Sequence, residues 1–518
     1  MRKLVVCVSL AALLAGGCNV VGGGNGQALQ TDVKNVSAAD LQAAVKDPRV
    51  KRFYEARGWA AVWTTDLVKD LSGAFADAEH HALQGAAYVR EVKEGTTPAE
   101  REAALTLNAL DYADALANGA VDPRKVFDPY AVERNKVDVV AGLQQAVQGG
   151  KVREWLASLA PQDDEYRALS DAYVRYAAQA KGPKREPIPP GKGIKPGGKD
   201  PRVPAIAAAL KAEGFMLEPA GDAPAGPQPK AARPADPTLY TKAMASAVER
   251  VQLDYGIAPD GVIGNSTLEA LNNGAGERAR ILAVNLERRR WLNRQPPATR
   301  IDVNTAATLL TYWRDGAVRD RRAVVTGQPD WETPELSAPM RALVANPDWT
   351  IPDKIAEEEI IPKGQAYMAA QQISEKNGRL VQASGDKSAL GMVKFDLDDP
   401  YAIYLHDTPA KAMFANPERH QSHGCVRVAD ALGFARMLAG DEGVTDQFEK
   451  ALATGKETNV SLPTKIPVRL LYHTAYFDGG RVVFRGDPYG WDDRLALALG
   501  LGGALRHRIV QHVHEIGP

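Results

Sequence analysis

The chain has 518 residues, 45% of them hydrophobic, and its 63 Lys and Arg against 64 Asp and Glu leave a net charge of −1. That length exceeds one hydrophobic core and implies about three domains, at ~100–200 residues each. The balanced charge excludes the basic footprint of a nucleic-acid binder, or of a protein held on anionic lipid by charge alone. The N-terminus reads as an export signal: Arg2-Lys3, an apolar run from Leu4 to Leu14, then Ala15-Gly16-Gly17 before Cys18. The run is too short to span a bilayer permanently. A glycine-rich tether, Gly22-Gly23-Gly24-Asn25-Gly26, follows.

From Val33 to Gln179 the pattern is largely helical. Thr97-Pro98-Ala99-Glu100 is a capping box with proline at the first helical position, and Leu105, Ala109, Tyr112 and Leu116 make one apolar stripe ending near Gly119. Tyr166, Leu169, Tyr173 and Tyr176 repeat that spacing, as core aromatics. His80-His81 reads as surface. Two low-complexity stretches come next, Gly182–Pro204 and Leu217–Pro237, too rich in Pro, Gly and Ala to bury their own apolar surface. They flank one short helix, Ala205–Phe215.

A small module spans Thr238–Asn272: a helix carrying Met244, Val248, Val251 and Tyr255, a Pro259-Asp260-Gly261 turn, and a second helix that Ser266 and Glu269 could cap. Leu282–Leu292 continues as a helix. The charge runs Arg288-Arg289-Arg290 and Glu357-Glu358-Glu359 read as solvated faces. From Ile301 short alternating runs separated by Gly, Pro and Asp predict β-structure, including Ala323–Gly327, Val393–Phe395 and a late pair around the Asp478-Gly479-Gly480 turn. Glu357 to about Lys376 predicts a helix outside the sheet, and Asp430–Leu438 another.

Chemistry concentrates in Tyr404-Leu405-His406-Asp407 and Ser422-His423-Gly424-Cys425-Val426-Arg427. A thiol near two imidazoles can become a thiolate nucleophile. Gly424 removes a β-carbon where a carbonyl must approach and lets backbone N–H groups aim at an oxyanion. A buried apolar filler is the bland alternative for Cys425. Zinc ligation by His406, His423 and Cys425 is another, but no fourth ligand and no zinc spacing is evident. With Cys7 in the signal and Cys18 at its end, Cys425 is the one thiol expected to stay free in an oxidising compartment.

A histidine, a gap of about sixteen residues, and Ser/Thr-His-Gly-Cys-x-Arg/Asn resemble the signature of the L,D-transpeptidase (YkuD-type) catalytic domain, here His406, Ser422, His423, Gly424, Cys425, Val426 and Arg427. The segment from Phe53 to Trp63 and the helices after it resemble the scaffold domain of the larger, YcbB-type members. Val251-Gln252, Asp260-Gly261-Val262-Ile263-Gly264 and Thr267-Leu268 resemble a peptidoglycan-binding repeat, which either binds glycan or packs domains together. Ala15-Gly16-Gly17-Cys18 resembles a bacterial lipobox, with ordinary cleavage as the alternative.

These resemblances imply a multidomain α+β chain: a signal peptide at 1–18, a helical scaffold at 31–182, linkers around a short helix at 183–237, a peptidoglycan-binding-like module at 238–275, a mainly-β catalytic domain at 299–486 with a lid, and a tail at 487–518. The lid is expected at Thr408–His420. Cys425 is the expected nucleophile. His406 is the proton donor and acceptor, because His423, two residues from Cys425, would lie ~6–7 Å away along a strand. Ser422, Gly424 and Tyr404 are expected at the oxyanion or substrate. Arg427 would meet either a substrate carboxylate or a structural partner. Peptidoglycan stem peptides are the implied substrates and Cys18 the lipid anchor to an envelope membrane. No metal or organic cofactor is implied. A wall-binding lipoprotein with a decayed enzyme domain is the rival from another class.

Overall fold

The computed structural model describes residues 36–90, 93, 95–182, 185–216, 236–416 and 418–502. The export signal, Cys18, the glycine tether, most of the second linker and the end of the C-terminal tail lie outside them. Two compact units emerge, one from 36–79, 83–113 and 138–159, the other from 80–82, 114–137 and 160–502.

The first unit is helical: α1 (Ala38–Ala44), α2 (Pro48–Glu55), α3 (Thr65–Ala76), most of α4 (Pro98–Asn118), α5 (Val139–Gly149) and α6 (Val152–Leu159). The capping box forms, with the Glu100 N–H donating to Thr97 Oγ1 and the Thr97 N–H to Glu100 Oε2. Glu102 is buried at the centre of this unit. Its Oε1 accepts from the N–H groups of Val62 and Trp63 and from the Tyr54 hydroxyl, while burial raises the carboxyl's pKa.

In the second unit α7 (Asp164–Ala180) packs on α11 (Ala275–Trp291), while α8 (Val203–Ala212), α9 (Lys242–Asp254) and α10 (Asn265–Asn272) form the small module. Two expectations change here. The short helix joins the module rather than standing between linkers, burying Ile206, Ala209 and Leu210. The described part of the first linker, 185–204, is tied down as well. Ile188 and Ile194 are buried, Ile194 and Ile263 exchange backbone hydrogen bonds, and the Arg202 guanidinium collects the Pro189 and Lys192 carbonyls. Two isoleucines and one arginine suffice to order a Pro/Gly-rich segment against a preformed surface. The Ser266–Glu269 box does not form; α10 starts from Gly264 with no side-chain cap.

The β-domain has strands β1 (Tyr130–Ala131), β2 (Arg300–Asn304), β3 (Leu309–Arg314), β4 (Ala317–Gly327), β5 (Glu335–Ala345), β6 (Trp349–Thr350), β7 (Ile373–Lys376), β8 (Arg379–Gln382), β9 (Val393–Leu397), β10 (Leu405–His406), β11 (His420–Ser422), β12 (Val426–Val428), β13 (Thr458–Leu471), β14 (Ala475–Asp478) and β15 (Arg481–Phe484). The order β5-β13-β2-β3-β4-β12-β10-β9 closes on itself because β9 pairs with both β10 and β5. Closure removes the sheet edges that β9 and β5 would otherwise expose. Inward-facing Ile301, Val303, Leu310, Leu343, Phe395, Leu405, Val426 and Val468 pack with Phe434, Leu438 and Phe448, the last three supplied by helices at Ala431–Asp441 and Thr445–Ala453.

Between β5 and β9 the chain makes a separate layer with its own core of Trp349, Ile351, Ile355, Ile360, Met368 and Leu390. Its expected single helix is broken. A turn at Asp353–Ile355 leads into a π-helical turn at Ala356–Ile360, Pro362 forces a 3₁₀ turn, and a helix resumes at Gly364–Ala370 before β7.

The arginine run is not a solvated face. Arg288 pairs with Asp492 and Arg290 with Glu287 at 2.6 Å, all four side chains essentially buried, and Arg280 reaches Asp493 at 2.9 Å. Asp492 and Asp493 sit on the helix Trp491–Ala498, so that part of the expected tail is a buried clamp on α11. Removing one member of such a pair strands the other charge, which is why both sides must be present. Glu335 lies in the same region, and burial, only partly offset by the Arg288 charge, pushes its carboxyl up to about 7.

A carboxyl whose folded value is raised contributes stability that is fully present below its unfolded value near 4.5 and is lost as pH rises through about 7. Glu335→Gln should therefore flatten the decline in urea stability of this unit between those limits, a slope of up to ~3 kcal/mol. An unchanged pH profile in the variant would assign the slope elsewhere.

Candidate active site

β10 runs parallel to β12, with Leu405 opposite Val426 and His406 opposite Arg427. The Val426 N–H donates to the Tyr404 carbonyl at 3.1 Å, and this ladder sets Tyr404 level with Cys425, which precedes β12, and His406 level with Arg427. Cys425 is 5% exposed, and its Sγ lies 3.9 Å from the Ala402 carbonyl. His406 is wholly buried with Nδ1 2.5 Å from the Asp407 carbonyl. A carbonyl only accepts, so the neutral ring carries its proton on Nδ1 and its basic nitrogen is Nε2. The Tyr404 ring meets the His406 ring edge-on at 5.7 Å.

Ser422 does not face outward to substrate. Its Oγ donates to the Cys425 carbonyl at 2.6 Å and accepts from the Gly424 N–H at 3.2 Å, closing a tight loop around the thiol. Gly424 needs to be glycine, since its φ of +109° is a region other residues avoid. Its carbonyl is held by Thr333 Oγ1 at 2.8 Å, and the same Oγ1 accepts from the Gly327 N–H at 2.8 Å.

His423 points to another set of side chains. Nε2 lies 2.7 Å from Glu359 Oε1, and Trp331 meets the ring edge-on at 4.8 Å with the Lys354 ammonium over the indole at 3.8 Å. Glu359, which charge patterning alone marked as solvated, thus reaches the site from the inserted layer, 64 residues away in sequence. Arg427 is 1% exposed and its Nη1 meets Met413 Sδ at 3.0 Å, beneath the 3₁₀ turn Lys411–Ala415 of the expected lid. His420 serves a local role, with Nε2 donating to the Thr305 carbonyl.

The sequence patterning predicts a thiolate at neutral pH. The structure reverses this: burial pushes the Cys425 thiol up to about 11, only partly offset by hydrogen bonds from the Tyr404 N–H and hydroxyl and by the Arg427 charge. Ionising it at pH 7 costs about 5 kcal/mol, so a base must take the proton as attack occurs. Among the described residues no group of three or more His, Cys, Asp or Glu side chains is placed to hold a metal ion.

Three family models match the chain: "L,D-transpeptidase catalytic domain" over residues 298–462, "Scaffold domain" over 48–172, and "Putative peptidoglycan binding domain" over 199–271. The β-domain is a YkuD-type L,D-transpeptidase catalytic domain. A Haemophilus influenzae protein named "Putative L,D-transpeptidase" is 33% identical over 223 residues, covering 38% of this chain and 45% of that relative's length. Solved L,D-transpeptidases are also similar. One from Stackebrandtia nassauensis is 12% identical over 58% of this chain and 99% of its own, with a TM-score of 0.22. One from Mycobacterium smegmatis is 14% identical over 33% and 58%, with a TM-score of 0.21.

Within this transpeptidase domain, the motif signalled Cys425, His406, Ser422, His423 and Gly424, but nothing local signalled Glu359, Trp331 or Thr333. The one usable hint was the broken helical pattern around Pro362.

Because the Tyr404 hydroxyl lowers the thiol's value, Tyr404→Phe should move the alkylation midpoint of Cys425 further above about 11 and slow iodoacetamide at any fixed lower pH. Following the alkylation rate by mass spectrometry across pH checks this. An unmoved midpoint would remove Tyr404 from the thiol's environment.

Proposed function

We propose that the protein forms 3→3 cross-links in peptidoglycan by way of a Cys425 thioester. The observation that carries this reading is the β10–β12 ladder, which sets a tyrosine beside a lone thiol, with a buried imidazole two residues further along the same strand, while Ser422 locks the thiol's flanking loop. His406 Nε2 takes the thiol proton while Sγ attacks the carbonyl of the third, meso-diaminopimelate residue of a tetrapeptide stem. The proton then passes to the leaving D-Ala amine. The backbone N–H of Cys425 stabilises the oxyanion. A second stem's side-chain amine resolves the thioester. Water in that role makes the enzyme a carboxypeptidase, and a protein lysine makes it an attachment enzyme for lipoproteins.

Peptidoglycan as substrate places the chain in the bacterial envelope, and the peptidoglycan-binding module supports that assignment. Among the described residues no helix is long and apolar enough to cross a membrane. We propose periplasmic exposure with a lipid on Cys18.

Cys425→Ser should abolish cross-linking of purified stem peptides, and a carbapenem should add its mass to the wild type but not to Cys425→Ala. A wild type that takes up no carbapenem would favour the wall-binding lipoprotein instead. Cys18→Ala should release the protein from membrane fractions with its cross-linking rate intact. Persistence in the membrane after a high-salt wash would exclude the lipid anchor.

A further inference from the structure

Glu359 lies outside the motif, yet its partly exposed carboxylate is bonded to the motif's His423. One oxygen is held at 2.7 Å by His423 Nε2, and the His423 side chain is 2% exposed while that of Glu359 is 16% exposed. A carboxylate accepts through both oxygens, so holding the imidazole leaves capacity for a second donor. The residue sits on a π-helical turn, Ala356–Ile360, a local irregularity that often marks functional sites and that here alters the phase with which Glu359 leaves the helix. Ile355 and Ile360 anchor both sides of the turn in the core of the inserted layer, so the carboxylate is presented by a packed element.

Two groups of side chains therefore converge on the loop carrying Cys425. Tyr404 and His406 come from β10 and the residue before it; they handle the thiol proton. His423, Trp331 and Glu359 form the other group, which presents the partly exposed Glu359 carboxyl, with the Lys354 ammonium over the Trp331 ring. We infer that Glu359 selects the acceptor: it binds the ammonium of the incoming amine and orients it toward the thioester. This rests on the transpeptidase reading above. The three acceptors left open differ in charge, since a stem amine and a protein lysine arrive as cations and water does not. A carboxylate at this position favours aminolysis over hydrolysis.

The step balances without a further reagent. After D-Ala has left with the first proton, His406 is neutral. The acceptor ammonium, held by Glu359, gives one proton to His406 Nε2, and its nitrogen attacks the thioester carbonyl. The C–N bond forms, the C–S bond breaks, and the departing Cys425 sulfur takes the second N–H proton. His406 releases its proton to solvent.

Glu359→Gln tests this, because glutamine can keep a hydrogen bond to His423 through its carbonyl oxygen while losing the charge. The full-length protein is given a tetrapeptide stem as both donor and acceptor, and D-Ala release, cross-linked dimer and hydrolysed tripeptide are measured together. The expected result is a ratio of dimer to tripeptide lowered about tenfold, whatever the rate of D-Ala release, the loss of one charge-assisted hydrogen bond. The dimer yield of the variant should also need a higher acceptor concentration to saturate. An unchanged ratio overturns the inference. So does an equal loss of D-Ala release and dimer, which would make Glu359 a positioning residue for acylation through His423. A wild type that releases no D-Ala and forms no adduct at Cys425 would instead sink the transpeptidase reading, and the inference with it.

Discussion

The short parallel pairing of β10 with β12 is the constraint on which the site depends. β10 is two residues long, held between β9 on one side and β12 on the other. Two residues make few hydrogen bonds, so their position must come from closure of the sheet as a whole. The β5–β9 pairing supplies it, bringing β9 round to support β10 from the side opposite the nucleophile. His406 thus stands on the strand paired with β12, level with Arg427, rather than near Cys425 along the chain. The imidazole is fixed twice, by the strand and by its Nδ1 bond to the Asp407 carbonyl.

Burial gives the site its chemical character. The same packing that excludes water from Cys425 raises the thiol, so the resting enzyme keeps a protonated and comparatively unreactive sulfur. For a thiol this is protective, since oxidation follows thiolate character and exposure. Tyr404 and Arg427 act in the opposite direction to burial, and their effects are smaller.

A second buried system holds the domain's helical flank. Arg288, Arg290 and Arg280 on α11 pair with Asp492, Glu287 and Asp493. Such pairs add little net stability over apolar packing, but they tolerate one register only. The Asn285 amide, which donates to Thr474 Oγ1 while its oxygen accepts from the Thr474 N–H, tightens the same register. Arg280, Asn285 and Arg288 thereby lock α11 to segments some two hundred positions later in the chain, while the Arg290–Glu287 pair stays within the helix.

What the sequence determined by itself was local. The Thr97–Glu100 box, the Asp478-Gly479-Gly480 hairpin, the helical character of 38–180 and the spacing of His406 to Cys425 all follow from contacts within a few residues or from a motif whose members are adjacent. Gly424 belongs here too, because a positive φ beside the nucleophile is a demand that one residue type meets. The tertiary structure decided what depends on burial and on distant partners. Arg288 and Arg290 read as solvated until Asp492 and Glu287 are seen around them, and Glu359 reads the same way until His423 is found 64 residues on. The linker at 185–204 becomes ordered only because the module offers Ile188 and Ile194 a surface. Cys425 has the flanking residues of a thiolate, yet its protonation is set by desolvation, a property of everything packed around it that no local pattern encodes.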